Sequence, residues 1–119
     1  MRDYDMTMPR ASTTSDVFNA IAEPRRRQIV ECLARRGALA VGTLVVTLGL
    51  PQPTISKHLG VLRKVGVVAA TKQGKQRLYS LQAAKLKTVH DWVRAFESLW
   101  DHQLSRIKEH AEHQTREQG

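Results

Sequence analysis

"PQPTISKHLGVLRKVG", residues 51–66, is the stretch whose reading decides the fold. It opens with two prolines and a run of short polar side chains, carries apolar residues at helical spacing, and stops at a glycine. Ile55, Leu59, Leu62 and Val65 recur at three- and four-residue steps, so they share one helical face. Gly66 is the residue expected just past the helix end. Gln52, Thr54, Ser56, Lys57 and His58 crowd the first turns. A helix that packs through one face and offers polar first turns on the other is built like a DNA-reading helix.

The flanking segments extend this pattern. Asp16 suits the N-cap of "VFNAIA". Pro24 suits the first turn of "PRRRQIVECLARRG", where Ile29, Val30, Leu33 and Ala34 form a buried stripe and Gly37 a stop. Arg35 and Arg36 stand in the last turn, where cations favour the helix dipole. "ALAVGTLVVTLGL" is rich in β-branched residues, yet the Gly49-Leu50-Pro51 break before another helix predicts a short third helix. Leu39, Val41, Leu44, Val45 and Leu48 are directed to its core side. After Gly66, "VVAATKQGKQRLYSL" predicts two strands joined at Gly74. From about residue 82, Leu86, Val89, Trp92, Val93, Phe96, Leu99, Trp100, Leu104 and Ile107 predict one long helix. The expected fold is mainly α with a small β-hairpin: a winged helix-turn-helix. Residues 1–15 are expected to be a flexible arm, 16–113 the domain, and 114–119 a frayed tail.

The chain has 119 residues and a net charge of +8, and the charge is unevenly placed. Residues 32–90 contain no Asp or Glu but ten Lys and Arg. A polyanion lying along the middle of the chain is the direct reading. On the reading helix, Gln52 can pair with adenine, Lys57 with guanine or phosphate, and Thr54 and Ser56 with either base or phosphate. His58 either donates to a phosphate or packs. Arg63 suits the DNA backbone or solvent. Lys72, Lys75 and Arg77 of the hairpin suit phosphates beside the groove.

"RRRQIVECLA", "TLGLPQPTISKHLGVLRKVGVV" and "GKQRLYSL" together resemble the arsenic-repressor type (ArsR/SmtB) of bacterial winged-helix transcription factors. The resemblance covers roughly residues 17–100. It implies a homodimeric repressor on a pseudo-palindromic operator, with dimerisation through the first and last helices. Pro51 departs from the pattern, because the family often has a serine N-cap there.

The C-terminal stripe is itself longer than one small core can cover, which argues for a second copy. The expected interface is Val17, Phe18 and Ile21 of the first helix with Leu86, Val89, Trp92, Val93, Phe96, Leu99 and Trp100. Many relatives in the family release DNA on binding metal. The positions that carry the ligands fall here on Ala40 and Gly42, and on Ala83, Lys85, Phe96 and Leu99. None of these sets makes a site, so no metal or cofactor is expected. The apolar helices of the dimer could instead leave a pocket for an unidentified small-molecule effector, for which no residue argues specifically. His102, His110 and His113 offer an alternative, a non-standard histidine metal site near the C-terminus. A winged helix used only for protein interaction is the second alternative.

Other classes fit less well. No catalytic arrangement or phosphate-cradling glycine loop is present, so an enzyme is not expected. No apolar run reaches membrane-spanning length, and the N-terminal residues hold no signal-like segment. Cys32 has no intrachain partner and suits a small buried hydrophobe. A cytoplasmic location is the expectation.

Overall fold

The computed structural model describes the backbone of residues 16–118 and the side chains of residues 16–111. The elements run α1 (Val17–Ala22), α2 (Pro24–Arg36), β1 (Leu39–Ala40), α3 (Val41–Leu48), α4 (Gln52–Lys64), β2 (Val68–Gln73), β3 (Gln76–Leu81), a 3-10 turn (Ala83–Leu86), α5 (Lys87–Arg94) and α6 (Glu97–Gln118). The expected arm at 1–15 lies outside the described residues. The chain divides into two compact units, the first closing at Lys87 and the second starting at Thr88.

Local chemistry fixes the helix ends in the first unit. The Asp16 carboxylate accepts from the Phe18 N–H at 2.9 Å and caps α1. Glu23 caps α2 by accepting from the Arg25 N–H, and that hydrogen bond holds its carboxyl below the usual range. The arginines that follow close α1 from its other end. Arg27 Nη1 donates to the carbonyls of Ile21 and Ala22 at 2.7 and 3.1 Å. These are last-turn carbonyls of α1, which have no intrahelical donor. Two basic side chains of the "RRR" run therefore hold a six-residue helix in place; Arg26 is the other, with its Nε donating to Ala20 O at 2.6 Å.

The core gathers Ala20 of α1, Ile29, Cys32 and Leu33 of α2, Leu44 of α3, Ile55, Leu59 and Leu62 of α4, Val67, Val68 and Tyr79. Cys32 is buried, as expected of a small hydrophobe, and Ala34 of the expected stripe is exposed, so the buried face of α2 is rotated slightly toward Cys32. Leu44 alone is fully buried on α3, with Leu39, Val41, Val45 and Leu48 half-buried around the core.

The sheet has three strands in the order β1-β3-β2, all antiparallel. The predicted hairpin is present, with Gln73 opposite Gln76 and a two-residue loop of Gly74 and Lys75. Gly74 has φ +65 and Lys75 has no positive φ, the pattern of a II′ turn, which suits the twist of a hairpin. The added strand β1 pairs Leu39 with Tyr79 and Ala40 with Leu78. It ties the start of α3 to the hairpin.

The second unit corrects the expectation of one long helix from about residue 82. The 3-10 turn precedes α5, and Ala95 and Phe96 separate α5 from α6. At this break the N–H groups of Ala95 and Phe96 reach back only three residues, to Trp92 and Val93. Helix α6 then runs to Gln118, through residues where fraying is expected. No described helix is long and apolar enough to cross a membrane.

Candidate nucleic-acid interface

Helix α4 carries the candidate surface. It starts at Gln52 with Pro51 as N-cap, and no side chain caps it. Pro53, in the second position, has no N–H to offer. The Ile55 N–H already bonds Pro51 O at 3.1 Å. The Gln52 and Thr54 N–H groups are thus left pointing out of the helix start, where the dipole favours an anion. No acidic side chain stands in this first turn.

The exposed side chains of α4 include Gln52, Ser56, Lys57, Arg63 and Lys64, while Thr54 is half-buried. Ile55, Leu59 and Leu62 hold the opposite face in the core. His58 belongs with them rather than with the outward set. It is only 8% exposed, and its Nδ1 lies 3.4 Å from Arg26 Nη1. Of the two roles the sequence leaves open for His58, the structure gives it the packing one.

The far end of α4 is closed by a backbone motif. The Gly66 N–H bonds Arg63 O and the Val67 N–H bonds Leu62 O, both at 3.0 Å. This pair of bonds is the Schellman arrangement, and Leu62 and Val67 meet it with buried side chains. It turns the chain directly into β2, which packs against α4.

The hairpin tip is exposed and cationic. Lys72 and Arg77 are directly opposed across β2 and β3, with Lys75 in the turn between them. Like charges facing each other across a strand pair are destabilising. No carboxylate lies between residues 32 and 90 to relieve them. The cost is offset when an external anion takes the place of the missing carboxylate.

Arg26 and Arg36 are contributions the sequence reading missed. Arg26 joins α1, α2 and α4. Arg36 Nη1 donates to Thr47 Oγ1 at 2.7 Å and braces α2 against α3. Neither link is periodic, so spacing alone does not reveal it.

In the second unit, Trp92 and Phe96 meet edge-on with centroids 5.2 Å apart, and Phe96 stacks on Trp100 at 6.3 Å. Trp92, Leu99, Trp100, Leu104 and Ile107 are exposed, and Val89, Val93 and Phe96 half-buried. Of the remaining residues expected at an interface, Phe18 and Ile21 are half-buried, and Val17 and Leu86 pack on the core of the first unit. His102 and His110 stand exposed on α6. Among the described residues no three His, Cys, Asp or Glu side chains come together as a metal site, and the His113 side chain lies outside them.

Comparison with known proteins gives the same frame. Residues 23–70 match the model of the bacterial regulatory proteins of the arsR family. An HTH-type transcriptional regulator of Methanocaldococcus jannaschii is 34% identical over 82 residues, covering 69% of this chain and 92% of that protein. The transcriptional repressor SdpR of Bacillus subtilis is 30% identical over 90 residues, covering 76% and 99%. The solved structure of an ArsR-like transcriptional regulator from Rhodococcus sp. RHA1 superposes with a TM-score of 0.65 at 29% identity, over 86% of this chain and 92% of that one. With helix α4, the hairpin wing and these relatives in agreement, the chain belongs to the ArsR family of winged helix-turn-helix transcriptional regulators.

Proposed function

We propose that this protein is a sequence-specific, DNA-binding transcriptional repressor that acts as a homodimer on a pseudo-palindromic operator. One observation carries the reading: the outward face of α4 and the tip of the β2–β3 wing are polar and cationic, in a segment of 59 residues without a carboxylate. Helix α4 enters the major groove, with Gln52 and Ser56 at base edges and Lys57 at a base or phosphate. The free N–H groups at its start hold a phosphate. Thr54, half-buried, is limited to the backbone nearest the helix start. Arg63 meets backbone further along. The wing places Lys72, Lys75 and Arg77 on phosphates beside the same groove.

A second copy docks through the apolar side chains of α5 and α6, with α1 as co-packer. The two reading helices then meet successive major grooves on one duplex face, about 34 Å apart. The repressor SdpR among the relatives supports the direction of control.

Salt titration of duplex binding tests it. Neutralising four to six phosphates makes affinity fall by about two to three decades between 50 and 200 mM salt. Weak binding that is insensitive to salt would instead assign the fold to protein interaction.

A further inference from the structure

His58 is the one buried polar or charged side chain among the described residues. It sits on α4, and its partner is Arg26, from the first turns of α2. Arg26 is bound elsewhere too. Its Nε donates to Ala20 O at 2.6 Å and its Nη2 to Asn19 O at 3.4 Å, both carbonyls of α1. One guanidinium therefore grips the end of α1 and the interior face of α4 together.

The grip depends on where the imidazole proton lies. A guanidinium only donates, so Nδ1 of His58 accepts and the ring proton stands on Nε2. A second proton on the ring removes that acceptor and places a positive charge 3.4 Å from Arg26 Nη1. The surroundings offset this charge only in part. Arg25 and Arg26 face His58 from α2, and Lys57 from its own helix; Glu23, at the α1–α2 junction, is the one opposing carboxylate. The helical spans of α1 and α3 hold no ionisable side chain, and β2 brings only the exposed Lys72. Burial first, then these cations, hold the imidazole below its ordinary range, against the pull of Glu23.

We propose that Arg26 and His58 are positioning residues that set the reading helix against α1, and that protonation of His58 breaks the link and lowers DNA affinity. The inference rests on the DNA-binding reading above. It links the reading helix to α1, the helix that co-packs in the proposed dimer, so that loss of the contact changes the pose of one relative to the other. The sign follows from linkage: a proton taken up only when the link is broken opposes every ligand that needs the link.

The test compares full-length wild type with His58→Asn. The asparagine oxygen can occupy the Nδ1 position and accept from Arg26, but it does not titrate. Binding to a duplex selected by the protein from random sequence is measured at fixed ionic strength as pH is lowered. Wild type is expected to lose about tenfold in affinity relative to H58N for each pH unit once His58 titrates. Other histidines contribute equally to both proteins and cancel. Parallel profiles would overturn the proposal. If H58N does not fold, Arg26→Gln serves in its place, and its profile must be the flatter one. Amide exchange in α1 of the free protein is measured alongside. Protection in α1 should fall on acidification in wild type and persist in H58N, and equal loss in both overturns the proposal. A chain that binds no duplex at any pH would remove the DNA-binding reading, while the α1 exchange comparison would still decide the link.

Discussion

Gly66 and Pro51 bound helix α4, and each is unusual for a physical reason. Gly66 has φ +86, and a Cβ built there would lie 3.0 Å from Cε of Lys85. The long Lys85 chain can move aside, but alanine cannot adopt the left-handed backbone cheaply. Gly66→Ala should therefore cost about 1–2 kcal/mol, read as a lower urea midpoint with an unchanged slope. Pro51 acts in the opposite sense. It caps α4 with no side-chain acceptor, leaving the Thr54 N–H unbonded within the helix. Pro51→Ser supplies an acceptor in reach of that N–H. Stability should rise by about 0.5–1 kcal/mol, and duplex affinity should fall severalfold, because the phosphate loses its donor. If stability and affinity rise together in P51S, the open helix start is not a phosphate site.

The wing shows the same opposition at the level of an element. Lys72 faces Arg77 across the ladder, with no carboxylate in residues 32–90 to balance the pair. Lys72→Glu converts the pair to opposite charges and should stabilise the hairpin by about 0.2–1 kcal/mol. The same change should weaken binding to all duplex sequences alike and flatten the salt dependence by at least about one phosphate. Gln52→Ala and Ser56→Ala should behave differently, each relaxing preference at one base position by about 1–3 kcal/mol; selection from a randomised duplex pool separates the two patterns. Elements marked by their own residues were legible in the sequence: α4 between Pro51 and Gly66, and the hairpin around Gly74. Strand β1 was not, because two residues carry no period and pair only once β3 is in place. The break at Ala95 and Phe96 has no proline or glycine to mark it, and the apolar stripe runs straight through. His58 was half legible. It stands three residues after Ile55 and four before Leu62, on the buried face, but its polarity suggested the outer one. Its partner Arg26 is 32 residues away in sequence, beyond any local pattern.

For the whole molecule, the decisive quantity is the apolar surface of the second unit. Leu104 and Ile107 are 63% and 65% exposed, and Trp92 is 57% exposed. Single exposed apolar residues are ordinary, but a row of them along successive turns of α5 and α6 is what the proposed dimer would cover. Covering it with a second copy removes this area from water at about 25 cal/mol per Å². Leu104→Glu tests that assignment with little risk to the fold, because the Trp92–Phe96–Trp100 contacts do not involve it. Wild type should sediment as a dimer at micromolar concentration, and L104E should shift toward monomer. Affinity for a two-half-site duplex should then fall by about a hundredfold or more, since the second reading helix no longer binds at the high effective concentration set by the first. Affinity for a single half-site should barely change, as α4 and the wing lie wholly within the first unit. A dimer that survives L104E together with Ile107→Glu would move the interface off this stripe of α6, and a wild type that sediments as a monomer would remove the two-fold arrangement and the pseudo-palindromic operator with it.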